Sequence, residues 1–154
     1  MFIKKVMVLC GVVLLLASCS AGKYGNMGFN GFGQSDNTSD RGMRYLLGQG
    51  VEQNNEKAFY YFSKAANEGD PFAENELAYM YAAGKGTKRD YAQALRWYQR
   101  AAKHGLASAQ YNLGLMYLMG LGTQPNKMLA LKWFQTSATH GFEPARRALT
   151  RYAS

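Results

Sequence analysis

Cysteine is nearly absent from this chain: its 154 residues hold two, Cys10 and Cys19. Cys10 lies in an apolar N-terminal stretch. With that stretch set aside one thiol remains, no internal disulfide can form, and the fold must stand on packing. Histidine is equally scarce, with two copies, His104 and His140. Two imidazoles without thiols or carboxylates at ligand spacing make no zinc site. Each precedes a glycine that ends a helix, where an imidazole is favoured by the helix dipole. The serines lack a GxSxG or SxxK setting, and no GxGxxG or P-loop run occurs. Glu74 and Glu76, two apart on a helix, point to different sides and cannot work as a carboxylate pair. These absences argue against an enzyme, a bound cofactor, a metal and a small-molecule substrate.

A membrane-spanning run is also missing. Val6 to Ala17 is apolar but only 12 residues long, which as a helix reaches about 18 Å against a hydrocarbon core of roughly 30 Å. Lys4 and Lys5 precede it, and the small residues of Leu16-Ala17-Ser18-Cys19 close it. That is the layout of a cleaved signal, residues 1–18, rather than of a transmembrane helix. Acidic residues are lacking from one half of the chain only. From Leu77 to Ser154 there are 11 basic and 2 acidic residues, net +9, whereas Cys19 to Glu76 has 5 basic and 8 acidic, net −3. A basic end attracts nucleic acid, acidic lipid headgroups, lipopolysaccharide or an acidic protein. An exported chain seldom meets nucleic acid, so the other three are the expected attractions.

What the sequence does have is a repeat of 36 residues. Gly48-Gln-Gly50, Gly84-Lys-Gly86 and Gly120-Leu-Gly122 fall in step, as do Tyr45, Tyr81 and Tyr117. Ala58, Ala94 and Ala130 follow, then Tyr61, Trp97 and Trp133, then Gly69, Gly105 and Gly141. A period of this size marks stacked helical hairpins, none of which can bury its apolar face alone. Ala73, Leu77, Ala78 and Tyr81 form one helical stripe, so Pro71 to Ala83 is a first helix, ended by Gly84. Tyr91 to His104 is its partner, with Asp90 as N-cap and Gln93 in capping-box position. Ala94, Trp97, Tyr98 and Ala101 are expected to form its buried stripe. The pattern gives hairpins at about 40–70, 71–105 and 106–141, and a closing helix at 143–152. Before them, the 5 glycines of Ser20 to Thr38 read as a flexible tether (19–39 with the cysteine), with a root-mean-square reach of about 25 Å.

Two resemblances extend this reading. Leu16-Ala17-Ser18-Cys19 resembles the lipobox of bacterial lipoproteins, which implies that Cys19 is diacylated and becomes the first mature residue; a cysteine within an ordinary signal peptide is the alternative. Ser20, in place of an aspartate, implies an outer-membrane lipoprotein facing the periplasm. The run Ala109-x3-Leu113-Gly114-x2-Tyr117, Gly120-x-Gly122, Ala130-x2-Trp133-Phe134, Ala138-x2-Gly141 is similar to the Sel-one-like repeats, close relatives of tetratricopeptide repeats. The likeness runs from about residue 42 to 152 and departs at Arg41, Asn54, Asn126 and Ser137.

That likeness implies an all-α, right-handed α-solenoid of about three hairpins. It also implies an envelope module that binds a protein, either an immunity protein against a secreted phospholipase-type effector or an assembly adaptor. An enzyme or accessory acting on peptidoglycan or binding β-lactams is the alternative. In tetratricopeptide-like arrays the first helices line a concave face. The corresponding positions are Asn75, Glu76 and Tyr79, then Tyr111, Asn112 and Leu115, then Arg147 and Arg151. Tyr79, Tyr111 and Leu115 can equally be packing residues.

Overall fold

The computed structural model describes residues 37–153. The expected signal, Cys19 and nearly all of the tether lie outside the described residues. Seven helices follow one another, with no strand among the described residues: α1 Thr38–Leu47, α2 Asn55–Asn67, α3 Pro71–Ala83, α4 Tyr91–Lys103, α5 Ala107–Met119, α6 Lys127–Thr139 and α7 Glu143–Tyr152. Each packs chiefly on the helix before it and the helix after it. The result is an α-solenoid of three hairpins closed by a single helix.

The caps recur with the period. Asn54, Asp90 and Asn126 each accept a hydrogen bond from a backbone N–H in the first turn of α2, α4 and α6, at 2.8, 3.0 and 2.9 Å. Asparagine thus does at 54 and 126 what aspartate does at 90, because the bond needs only a side-chain oxygen. The same three residues donate their own N–H to the carbonyls of Tyr45, Tyr81 and Tyr117, at 2.9, 2.9 and 2.7 Å. Every Gly-x-Gly loop is therefore tied off in the same way. Between hairpins, the N–H groups of Asp70, Leu106 and Phe142 bond the carbonyls of Ala65, Ala101 and Ser137.

The core is one column of side chains. Phe62, Tyr98 and Phe134 are fully buried; Phe62 lies against Gly42 and Phe134 against Gly114, and Tyr98 and buried Ala78 hold the equivalent positions of the middle hairpin. A Cβ on Gly42 or Gly114 would come within 2.9 Å of Phe62 or 2.5 Å of Phe134. The small residues thus set how closely the paired helices approach. Trp97 and Trp133 do not belong to this column. They are half-buried at the flanks of α4 and α6, which corrects the expected buried stripe. The reason is angular: Ala94, Tyr98 and Ala101 share one face at i, i+4 and i+7, and position 97 is turned about 100° away from 98. Ser137 stands where the other copies have alanine, and its hydroxyl donates to the carbonyl of Ala107 at 2.7 Å. Arg41 is exposed, whereas Leu77 and Leu113 in the equivalent positions are buried.

Hairpin stacks on hairpin through the second glycine of each loop. Gly86 has φ +67° and Gly122 φ +71°, the left-handed region that a side chain disfavours. A Cβ on Gly86 would overlap the backbone carbonyl of Asn55 at the start of α2, and one on Gly122 would overlap that of Tyr91 at the start of α4. Gly50 shares the conformation but meets nothing within 4 Å.

Two expectations follow from this packing. Gly50→Ala should cost about 1–2 kcal/mol from backbone strain alone. Gly86→Ala and Gly122→Ala should cost roughly 2 kcal/mol beyond that, because the overlap forces two hairpins apart. Urea unfolding of the three variants measures this, and equal losses at all three would remove the stacking role. In the same assay Tyr98→Ala should lose about 3–5 kcal/mol. Trp97→Ala should lose less, since its ring is half-buried at the flank of α4 and leaves a smaller internal cavity. A larger loss at 97 than at 98 would contradict the observed register.

Candidate interaction surfaces

α3 and α5 are the first helices of the second and third hairpins, and they are enclosed on nearly every side. From Ala73 to Met80 and from Ala109 to Met116 every residue is buried. Six of the eight expected recognition residues lie in these runs. Asn75, Glu76, Tyr79, Tyr111, Asn112 and Leu115 are all buried. The Asn112 amide donates to Asn75 Oδ1 at 3.2 Å, and the Asn75 amide donates to Glu76 Oε1 at 3.0 Å. This polar chain joins α5 to α3 directly. Tyr111 lies 5.5 Å from both Phe134 and Phe142, ring centre to ring centre. Lys85 Nζ sits 5.1 Å above the Tyr79 ring. Arg147 and Arg151, on α7, are exposed.

A second polar cluster recurs with the period. The Glu74 carboxylate is 0% exposed. Arg100 Nη2 and His104 Nδ1 each lie 3.0 Å from it, at ion-pair distance without hydrogen-bond alignment. One repeat later the pair is Gln110 and His140, with Nδ1 to Oε1 at 2.8 Å. Both clusters also join hairpins. Arg100 donates to the carbonyl of Ala66 at 3.4 Å, and Gln110 Nε2 to that of Ala102 at 3.1 Å. The two histidines therefore support packing from helix ends. No group of three or more His, Cys, Asp or Glu able to hold a metal occurs among the described residues.

The outer faces of the second helices are the alternative to the first helices as a binding face. On α4, Arg96, Arg100 and Lys103 lie on the side opposite buried Ala94, Tyr98 and Ala101, and all three are exposed. Arg89, just before the helix, extends that stripe, and Lys132 occupies the place of Arg96 on α6. Exposed apolar groups share these faces, with Tyr60 on α2 at 62% and Met128 on α6 at 83% exposure. The Arg100 guanidinium stacks 4.5 Å from the Trp97 ring centre. The sequence signal was available, since Arg96 and Lys132 are 36 residues apart on a helix whose core face the alanines already mark.

The Sel1 repeat family profile matches residues 40–70, 71–106 and 107–142. The chain belongs to the Sel1-repeat family. This makes it a member of a class of protein–protein interaction modules that are generally not enzymes. Two solved structures are similar to it. One is a protective antigen present in uropathogenic Escherichia coli strains that displays an SLR fold, with TM-score 0.67 and 35% identity over 68% of this chain. The other is a Sel1 repeat protein from Oxalobacter formigenes, with TM-score 0.67 and 35% identity over 70% of this chain. The match spans 22% and 43% of those two chains. No curated protein matches it significantly.

The two copies of the histidine cluster allow a comparison within one molecule. Glu74→Gln should be tolerated, because Gln110 already fills the same place beside His140. Arg100→Ala leaves a buried carboxylate short of a cation and should destabilise by about 2 kcal/mol more than Glu74→Gln. Thermal melts of the two variants at one pH decide it; a costlier Glu74→Gln would mean that the ion pair itself is the main stabiliser.

Proposed function

We propose that this chain is a lipid-anchored module of the bacterial envelope, held at the outer membrane through Cys19, that binds one protein partner. The Sel1-repeat fold is the observation that carries the reading, since such hairpin arrays act by presenting surface to other proteins. The Leu-Ala-Ser-Cys sequence supports the anchor. With α3 and α5 enclosed, partner binding falls to exposed side chains. Arg147 and Arg151 on α7 supply cations suited to an acidic segment of the partner. Immunity against a secreted phospholipase-type effector or an adaptor role in envelope assembly are the two forms this function takes in our reading. An adjacent gene for a secreted lipase would favour the first.

Cys19→Ser removes the only thiol that accepts lipid in this scheme. It should move the protein to the soluble periplasmic fraction or leave it uncleaved, because two or three acyl chains anchor stably where one does not. Unchanged membrane partitioning of the variant would exclude the lipobox. Affinity purification from envelope extract should yield one stoichiometric protein. Arg147→Glu with Arg151→Glu should slow its association, most at low salt, where screening is weakest. Turnover of muropeptides or β-lactams by the pure chain would replace this reading with an enzymatic one.

A further inference from the structure

The outer faces of α4 and α6 form a basic surface that the protein-binding reading leaves unused. Lys88, Arg89, Arg96, Lys103 and Lys132 are all exposed, and none of these five is ion-paired among the described residues. The acids nearby are already engaged: Asp90 caps α4 through the Gln93 N–H at 3.0 Å, and Glu143 pairs with Arg146 at 3.3 Å. Arg96 and Lys103 are seven residues apart on α4, so they lie along one line about 10 Å apart, and Arg89 precedes the helix. Lys132 continues the surface onto the next second helix.

The chain's two tryptophans, Trp97 and Trp133, flank this surface on the same two helices, half-buried. Met128 stands beside it at 83% exposure. Cations on long stems, interfacial tryptophans and an exposed methionine make up the composition of a face that lies on lipid headgroups. We propose that the α4–α6 outer face docks on an anionic lipid surface, leaving α7 to the protein partner. Docking draws on the lipid-anchor reading, which holds the domain at a membrane.

The test uses the full chain and its own tryptophans. Vesicles of phosphatidylglycerol mixed with phosphatidylcholine, carrying a headgroup nitroxide, should quench tryptophan fluorescence; vesicles of phosphatidylcholine alone should not. Each cation near an anionic surface is worth roughly fivefold in partition, so Arg96→Glu with Lys132→Glu should weaken the quenching titration by at least about 25-fold. Added salt should do the same to wild type. Equal quenching by both vesicle types, or by the variant and wild type, overturns the proposal. A fluorescence response to polyglutamate without one to the anionic vesicles also overturns it, and assigns the face to an acidic polypeptide. Repeating the titration with Cys19→Ser separates the two readings. Charge-dependent quenching that persists there upholds the docking face whatever becomes of the anchor, whereas a fractionation-proven anchor without such quenching fails the docking face alone.

Discussion

The close approach of a glycine in one hairpin to the backbone of the hairpin before it sets the geometry on which the rest of this domain depends. Gly86 lies against Asn55 and Gly122 against Tyr91, with no room for a Cβ at either contact. That distance brings α3 against α2 and α5 against α4, and so encloses the first helices. Within the enclosure the Asn112 and Asn75 amides find acceptors in Asn75 and Glu76, because a buried donor without a partner is costly.

Most of the fold was legible because the repeat period, the caps and the Gly-x-Gly loops are local features. Pro71 to Ala83 and Glu143 to Tyr152 form the helices their residues predict, and Asp90 caps α4 as read from the sequence. The face assignments were harder. Periodicity separates core from surface only when a helix has a wet side. α3 and α5 have almost none, so the positions next to the leucine stripe looked like a groove when they are core. The tetratricopeptide likeness supplied the expectation of an open concave face, and it does not carry the close approach of hairpins that Gly86 and Gly122 permit here. Trp97 beside Tyr98 posed a similar ambiguity, since adjacent rings differ in direction by one residue and both suit a core. The alanines at 94 and 101 resolve it in favour of Tyr98.

Polarity in this domain divides by role. The buried groups, Glu74 with Arg100 and His104, Gln110 with His140, and the Asn75–Asn112 link, join helices within and between hairpins. The exposed cations of α4, α6 and α7 give the C-terminal half its charge. Only Arg100 serves on both sides, stacking on Trp97 at the surface while its guanidinium reaches the Glu74 carboxylate.

The stacking contact also bears on how such chains change in length. At both Gly86 and Gly122 the nearest atoms are the carbonyl group of one residue and the amide nitrogen of the next. Every residue has those atoms, so the joint between hairpins does not depend on which side chain stands at position 55 or 91. A recombination event that inserts or deletes one whole 36-residue unit recreates the joint without compensating substitutions. Gly50, with space beside it, keeps the loop conformation by which one more unit would seat.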